Sequence, residues 1–143
     1  MSRYLLDTNI ICNPIKAAPS LPLIAWFEEQ ADEDLYISTL NLGEIWRGIL
    51  ELPTGKKRRE LEQWFSGPRG PRAFFRDRIL AFDTRAAMVW GRLIADGAQA
   101  GRPRSPIDMI LAATAEANGC ILVTDNERHF AGLIFINPMH ERS

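Results

Sequence analysis

The segment Tyr4-Leu5-Leu6-Asp7-Thr8-Asn9 runs from three apolar residues directly into a carboxylate. A short apolar run that turns polar without transition is the pattern of a central strand feeding a loop, because strands of a covered parallel sheet are apolar on both faces. The same pattern returns near the other end, where Ile121 to Thr124 is followed by Asp125. Between them, Leu35 to Ser38 and Ile79 to Phe82 read as further strands and Leu133 to Ile136 as a last one. Helical patterns lie between the strands: Leu21 to Gln30, Leu40 to Leu52, Lys56 to Phe65, a helix capped by Thr84 and running to about Ala98, and Ile107 to Asn118 ahead of Gly119. Ser66 to Arg72, with two Gly-Pro-Arg triplets in register, reads as a breaker. Short apolar strands alternating with helices predict right-handed crossovers and a parallel sheet covered on both faces.

In open α/β sheets, functional groups gather outside the carboxyl ends of the strands. Asp7 and Asp125 fall at such ends, Glu44 one turn into the helix after Leu35 to Ser38, and Asp108 in the first turn of the helix after Pro106. Each acid also has a plain structural reading. Asp7 can cap a helix starting near Asn9. Glu44 points roughly opposite the apolar face of Leu42, Ile45, Trp46 and Ile49, as a solvated residue would. Ser105, Pro106 and Asp108 have the spacing of a capping box. The structural readings explain each acid singly but not why four fall near one sheet edge. Carboxylates brought together raise one another's pKa unless a positive charge sits among them, and hard oxygen donors suit Mg²⁺ or Mn²⁺.

The composition narrows the function classes. A chain of 143 residues, 46% hydrophobic, is near the commonest size for one domain, and a single compact domain over residues 1–143 is expected. A formal net charge of -1 gives no whole-chain signal for nucleic acid, but the charge is uneven. Lys56 to Arg78 holds eight basic residues against three acids, whereas the remainder holds nine against fifteen. Trp64, Phe65, Phe74 and Phe75 interleave this basic stretch, so it is either a nucleic-acid track or a solvated face over core aromatics. Cys12 and Cys120 lack ligand or disulfide spacing. No apolar run approaches the roughly 18 residues that cross a bilayer, and Met1 to Asp7 lacks a signal peptide's apolar core, so a cytoplasmic protein is expected.

YLLDTN, ISTLNLGEIWRG, PIDMILAATAEANGCILVTDNERHF and the closing INP, taken in this order, resemble the PIN-domain ribonucleases, specifically the VapC/FitB-type toxins of bacterial toxin–antitoxin pairs. The resemblance covers essentially the whole chain. It implies a three-layer α/β sandwich with a mainly parallel sheet of four to five strands flanked by helices. It also implies an acidic pocket for Mg²⁺ or Mn²⁺, hydrolysis of RNA to 5′-phosphate and 3′-hydroxyl ends, homodimerisation and inhibition by a cognate antitoxin. Asp7, Glu44 and Asp108 match the metal-binding acids, and Thr124 matches a supporting hydroxyl; Asn9 is a further supporting residue. The fourth acid departs from the family pattern: Asn126 occupies its slot, Asp125 stands where Arg is common, and His129 replaces an acid. Asp125, with Asn126 as alternative, is expected to complete the set. Arg102, Arg104, Lys56 and Lys57 are candidates for RNA contact.

Other classes fit less well. A haloacid-dehalogenase phosphatase wants a second Asp where Asn9 stands, a receiver domain wants a late strand-end lysine, and no GxxxxGK[ST] is present. The rival from a different class is a catalytically silent module of the same fold that binds RNA or a protein partner; metal binding separates the two.

Overall fold

The computed structural model describes residues 2–140. Five strands form one parallel sheet: β1 (Arg3–Leu6), β2 (Leu35–Ser38), β3 (Ile79–Leu80), β4 (Cys120–Val123) and β5 (Phe135–Ile136). Their spatial order is β3-β2-β1-β4-β5. The helices are α1 (Thr8–Cys12), α2 (Leu21–Glu29), α3 (Thr39–Leu50), α4 (Lys56–Ser66), α5 (Pro71–Phe74), α6 (Thr84–Gln99) and α7 (Pro106–Ala117).

The chain leaves β1 first toward β2 and β3, then crosses back to β4 on the other side. Because crossovers keep one hand, reversing direction along the sheet places the two sets of helices on opposite faces. Leu6, Ile37 and Val123 accordingly pack with Ile10 of α1, Leu23 and Trp26 of α2 and Phe75. On the opposite face Leu5 and Leu122 pack with Leu93 of α6 and with Met109, Leu111, Ala112 and Ala113 of α7. Adjacent residues Leu5 and Leu6 thus serve two different cores, which is why β1 is apolar throughout. A third cluster, Ile45 and Ile49 against Phe65, joins α3 to α4.

Several boundaries differ from the expected ones, each for a local reason. Asp83, rather than Thr84, caps α6, its carboxylate accepting from Ala86 N at 3.0 Å. That cap ends β3 after Leu80 instead of Phe82. The last strand is confined to Phe135–Ile136 because Leu133 N is already committed to Phe130 O in a turn. The Gly-Pro-Arg breaker contains the start of α5, with Pro71 in its first turn. Among the described residues no helix is long and apolar enough to cross a membrane.

Two glycines separate steric from conformational demands. A Cβ on Gly70 would lie 1.7 Å from Trp64 O, so the α4–α5 connection closes only over a residue without a side chain. A Cβ on Gly48, in α3, would meet nothing within 4 Å. Gly70→Ala is therefore expected to destabilise the fold by about 1–3 kcal/mol through overpacking, and Gly48→Ala to stabilise it by about 0.5–1 kcal/mol through helix propensity. Urea midpoints at an unchanged m-value measure both.

Candidate active site

The site lies where the strand order reverses, between the carboxyl ends of β1 and β4. Asp7 makes the last rung of that pair, its N–H donating to Val123 O at 2.9 Å. Its carboxylate is held twice. Thr124 Oγ1 donates to Oδ2 at 2.7 Å, and Thr8 N donates to Oδ1 at 2.7 Å. The second bond makes Asp7 the N-cap of α1, so the capping role read from the sequence is real. It does not exhaust the residue, because the other oxygen belongs to Thr124, across 117 positions of sequence.

Glu44 reaches the same place from α3. Ser38 and Asn41 form a reciprocal capping box at the end of β2 that fixes where this helix starts. Asn41, fully buried, uses its remaining donor on Thr8 Oγ1 at 3.1 Å. Thr8 Oγ1 in turn donates to Glu44 Oε1 at 2.9 Å. Glu44 is thus half-buried and oriented by a side-chain relay, where periodicity alone suggested a solvated residue.

Asp108 stands in the first turn of α7, whose N-cap is Ser105, with Pro106 directly after it. Its Oδ2 is 2.9 Å from His129 Nδ1. Asn126 Nδ2 is 3.0 Å from the same ring nitrogen, and its backbone N–H donates to Thr124 Oγ1 at 3.0 Å. A single nitrogen cannot donate to Asp108 and accept from Asn126 together, so the imidazole tautomer decides which neighbour it serves. Asp125 is exposed just beyond Thr124.

The electrostatics tie the acids into one group. Burial pushes the Asp7 carboxyl above its ordinary value; the bonds from Thr124 and Thr8 work against that, and the charges of Asp108 and Asp125 add to it. Burial also raises Glu44, with Asp7 and Asp108 contributing, against its bond from Thr8 and the charge of Arg47. Among the described residues, no three His, Cys, Asp or Glu side chains converge in a metal-holding geometry. Each carboxylate is turned to a neighbouring donor instead: Asp7 to Thr124, Glu44 to Thr8, Asp108 to His129. Exposed Lys56 and Lys57 open α4, which follows the far end of α3, whereas Arg102 and Arg104 lie in the loop before Asp108.

The PIN domain family matches residues 4–133. The chain belongs to this family. Among the relatives of this PIN domain, the VapC ribonuclease Y4jK of Sinorhizobium fredii is 34% identical over 93% of this chain and 95% of its own length. Toxin FitB of Neisseria gonorrhoeae is 30% identical over 96% of this chain and 99% of its own. A solved structure of FitAB bound to a DNA fragment superposes with a TM-score of 0.88 at 28% identity, covering 98% of both chains. The expected three-layer architecture of a PIN domain is the one found, with five strands in the sheet.

Three participants escaped the reading of the sequence. Thr8 and Asn41 enter the relay to Glu44 through contacts 36 and 33 positions apart in sequence. For His129 the signal was its place in a slot where the family carries an acid.

A group whose folded pKa is raised holds its proton more tightly in the fold than in the unfolded chain, so its contribution to stability is lost as pH rises through the raised value. For Asp7 this window opens at the ordinary value of 3.8. Asp7→Asn is therefore expected to melt higher than wild type at neutral pH in EDTA, by about 2–4 °C for each kcal/mol relieved, with the gap closing at acid pH. Thermal melts across pH check this; a lower melting point at neutral pH would show that the bonds to Thr124 and Thr8 outweigh the burial of charge.

Proposed function

We propose that this PIN domain is a metal-dependent endoribonuclease toxin that hydrolyses RNA phosphodiester bonds and is silenced by a cognate antitoxin. The observation that carries the reading is the half-buried, doubly held Asp7 carboxylate at the β1–β4 reversal, with Asp108 and Asp125 raising its pKa alongside burial. Carboxylates that raise one another's pKa in this way favour a cation among them, and their donors are hard oxygens, the set that Mg²⁺ and Mn²⁺ take. Asp7, Glu44, Asp108 and Asp125 would hold the ion, with Asn126 as the alternative fourth donor. When bound, such an ion lowers the pKa of a water and polarises the phosphodiester.

The chain's own residues supply orientation. Thr124 and Thr8 each donate to one oxygen of Asp7 and so fix the orientation of its carboxylate. Glu44, held by Thr8 through one oxygen, keeps the other to orient an attacking water. His129 Nδ1, 2.9 Å from Asp108 Oδ2, steadies that carboxylate from the turn after β4. Asn9, exposed in the first turn of α1, stands beside this cluster as a supporting residue. Homodimerisation, a cytoplasmic location and the antitoxin belong to the same reading. The antitoxin is supported by the relative named Toxin FitB and by the FitAB assembly that shares this fold.

Calorimetric titration with Mn²⁺ should give saturable binding to wild type that is lost in Asp7→Asn. Cleavage of RNA should stop in EDTA and fall by about 10²–10⁴-fold in Glu44→Gln, if Glu44 acts on the water's proton. A wild-type protein that binds no Mn²⁺ would leave a partner-binding module instead.

A further inference from the structure

Beside the acid cluster, on the α7 side, a cavity of about 480 Å³ opens between the loop preceding α7 and the turn following β4. Its walls include Arg102, Arg104, Ser105, Asp108, Arg128 and His129. Asp108 and His129 line this cavity and Asp108 also acts on the charge of Asp7, so the cavity adjoins the acid cluster at Asp108. The volume lies within the range of small-ligand sites, roughly 300–1,000 Å³. Three arginines and one aspartate line this space, the reverse of the balance around Asp7.

The arginines are not equivalent. Arg104 is committed: Nη1 donates to Leu93 O at 2.8 Å, and its stem packs so close to Gly97 that a Cβ there would lie 3.0 Å from Arg104 Cγ. Arg102 and Arg128 are exposed, and among the described residues neither has a carboxylate within 4.0 Å. Both are nevertheless carried on braced backbone. Arg102 N donates to Gly97 O at 2.9 Å just after Gly101 at φ +71, and its own carbonyl is the atom nearest to a Cβ on Gly97. Arg128 lies in a turn pinned by the bond from His129 N to Asn126 O and by the buried Phe130 beside it. Cations held on rigid backbone lose little freedom on meeting an anion.

We infer that this cavity is a nucleotide subsite, in which Arg102 and Arg128 grip a backbone phosphate of single-stranded RNA next to the scissile one. The inference rests on the ribonuclease reading and adds how the strand is held in register. Arg102 and Arg128 are positioning residues: they touch the neighbouring phosphate and thereby set which phosphodiester reaches Asp108. RNA is favoured over an acidic peptide because the cavity shares Asp108 with the site that would cut it. A polyanionic strand lying in this cavity passes Asp108.

The test is fluorescence anisotropy of a labelled single-stranded RNA of randomised sequence, with Mg²⁺ present and in the Asp7→Asn background to keep the probe intact. Arg102→Gln and Arg128→Gln should each weaken binding roughly tenfold and make the log–log salt dependence shallower by about 0.7. Arg102→Lys and Arg128→Lys should restore the salt slope, which a merely structural role would not do. Absent RNA binding, or affinity and slope unchanged in both Gln variants, overturns the subsite. So does arginine-dependent binding of polyglutamate in place of RNA, which would assign the cavity to an acidic partner. Cleavage by the wild-type chain is measured separately: an inactive enzyme with arginine-dependent RNA binding defeats the nuclease reading alone, whereas an active enzyme with an unchanged slope defeats the subsite alone.

Discussion

Everything at the acidic edge depends on one hydrogen bond, from the Thr124 hydroxyl to the Asp7 carboxylate. It spans the only place in the sheet where the chain's direction of travel reverses, and so joins strands whose crossovers lie on opposite faces. On one side of it Thr8 and Asn41 carry the constraint to Glu44; on the other, the Thr124 oxygen accepts from Asn126, which adjoins His129 and Asp108. The hydroxyl groups of Thr8 and Thr124 are the joints, each donating to a carboxylate while accepting from an amide. Valine in either place would keep the shape and lose both directions of bonding.

The same arrangement concentrates a cost. Charge at the mouth of a sheet is partly dehydrated, and the fold retains it because the strands behind it are apolar on both faces. Leu5 and Leu6 commit to separate cores, so β1 cannot slip by one residue without exchanging the two faces. Register and site geometry are therefore one constraint: the pairing that aligns Leu6 with Val123 also sets Asp7 beside Thr124.

Much of this was legible in the sequence, and the failures have physical causes. Strand β1 and the acids that follow β1 and β4 were readable because buried parallel strands leave short apolar runs with abrupt polar ends. The N-cap of α7 was readable because Ser105, Pro106 and Asp108 are a local signal. The cap of α6 was misplaced by one residue, since Asp83 and Thr84 both have capping chemistry and only tertiary context separates them. Glu44 looked solvated because helical periodicity measures apolar packing and is blind to a polar relay. His129 and Arg128 could not be joined to the Asp108 neighbourhood, because the turn that brings them there depends on Phe130 entering a core built by α6 and α7.

The pairing of the first strand with the fourth also has a temporal meaning. A chain made from its amino end carries Asp7 and Glu44 long before Thr124 and Asp108 exist. Until the β4 segment has emerged from the ribosome, the carboxylate of Asp7 lacks its partner and the switch-point crevice lacks a wall. A chain interrupted between Glu44 and Asp108 carries two of the four acids, and one interrupted between Asp108 and β4 carries three but lacks Thr124. The topology thus makes the late emergence of β4 a condition for assembling the acidic edge.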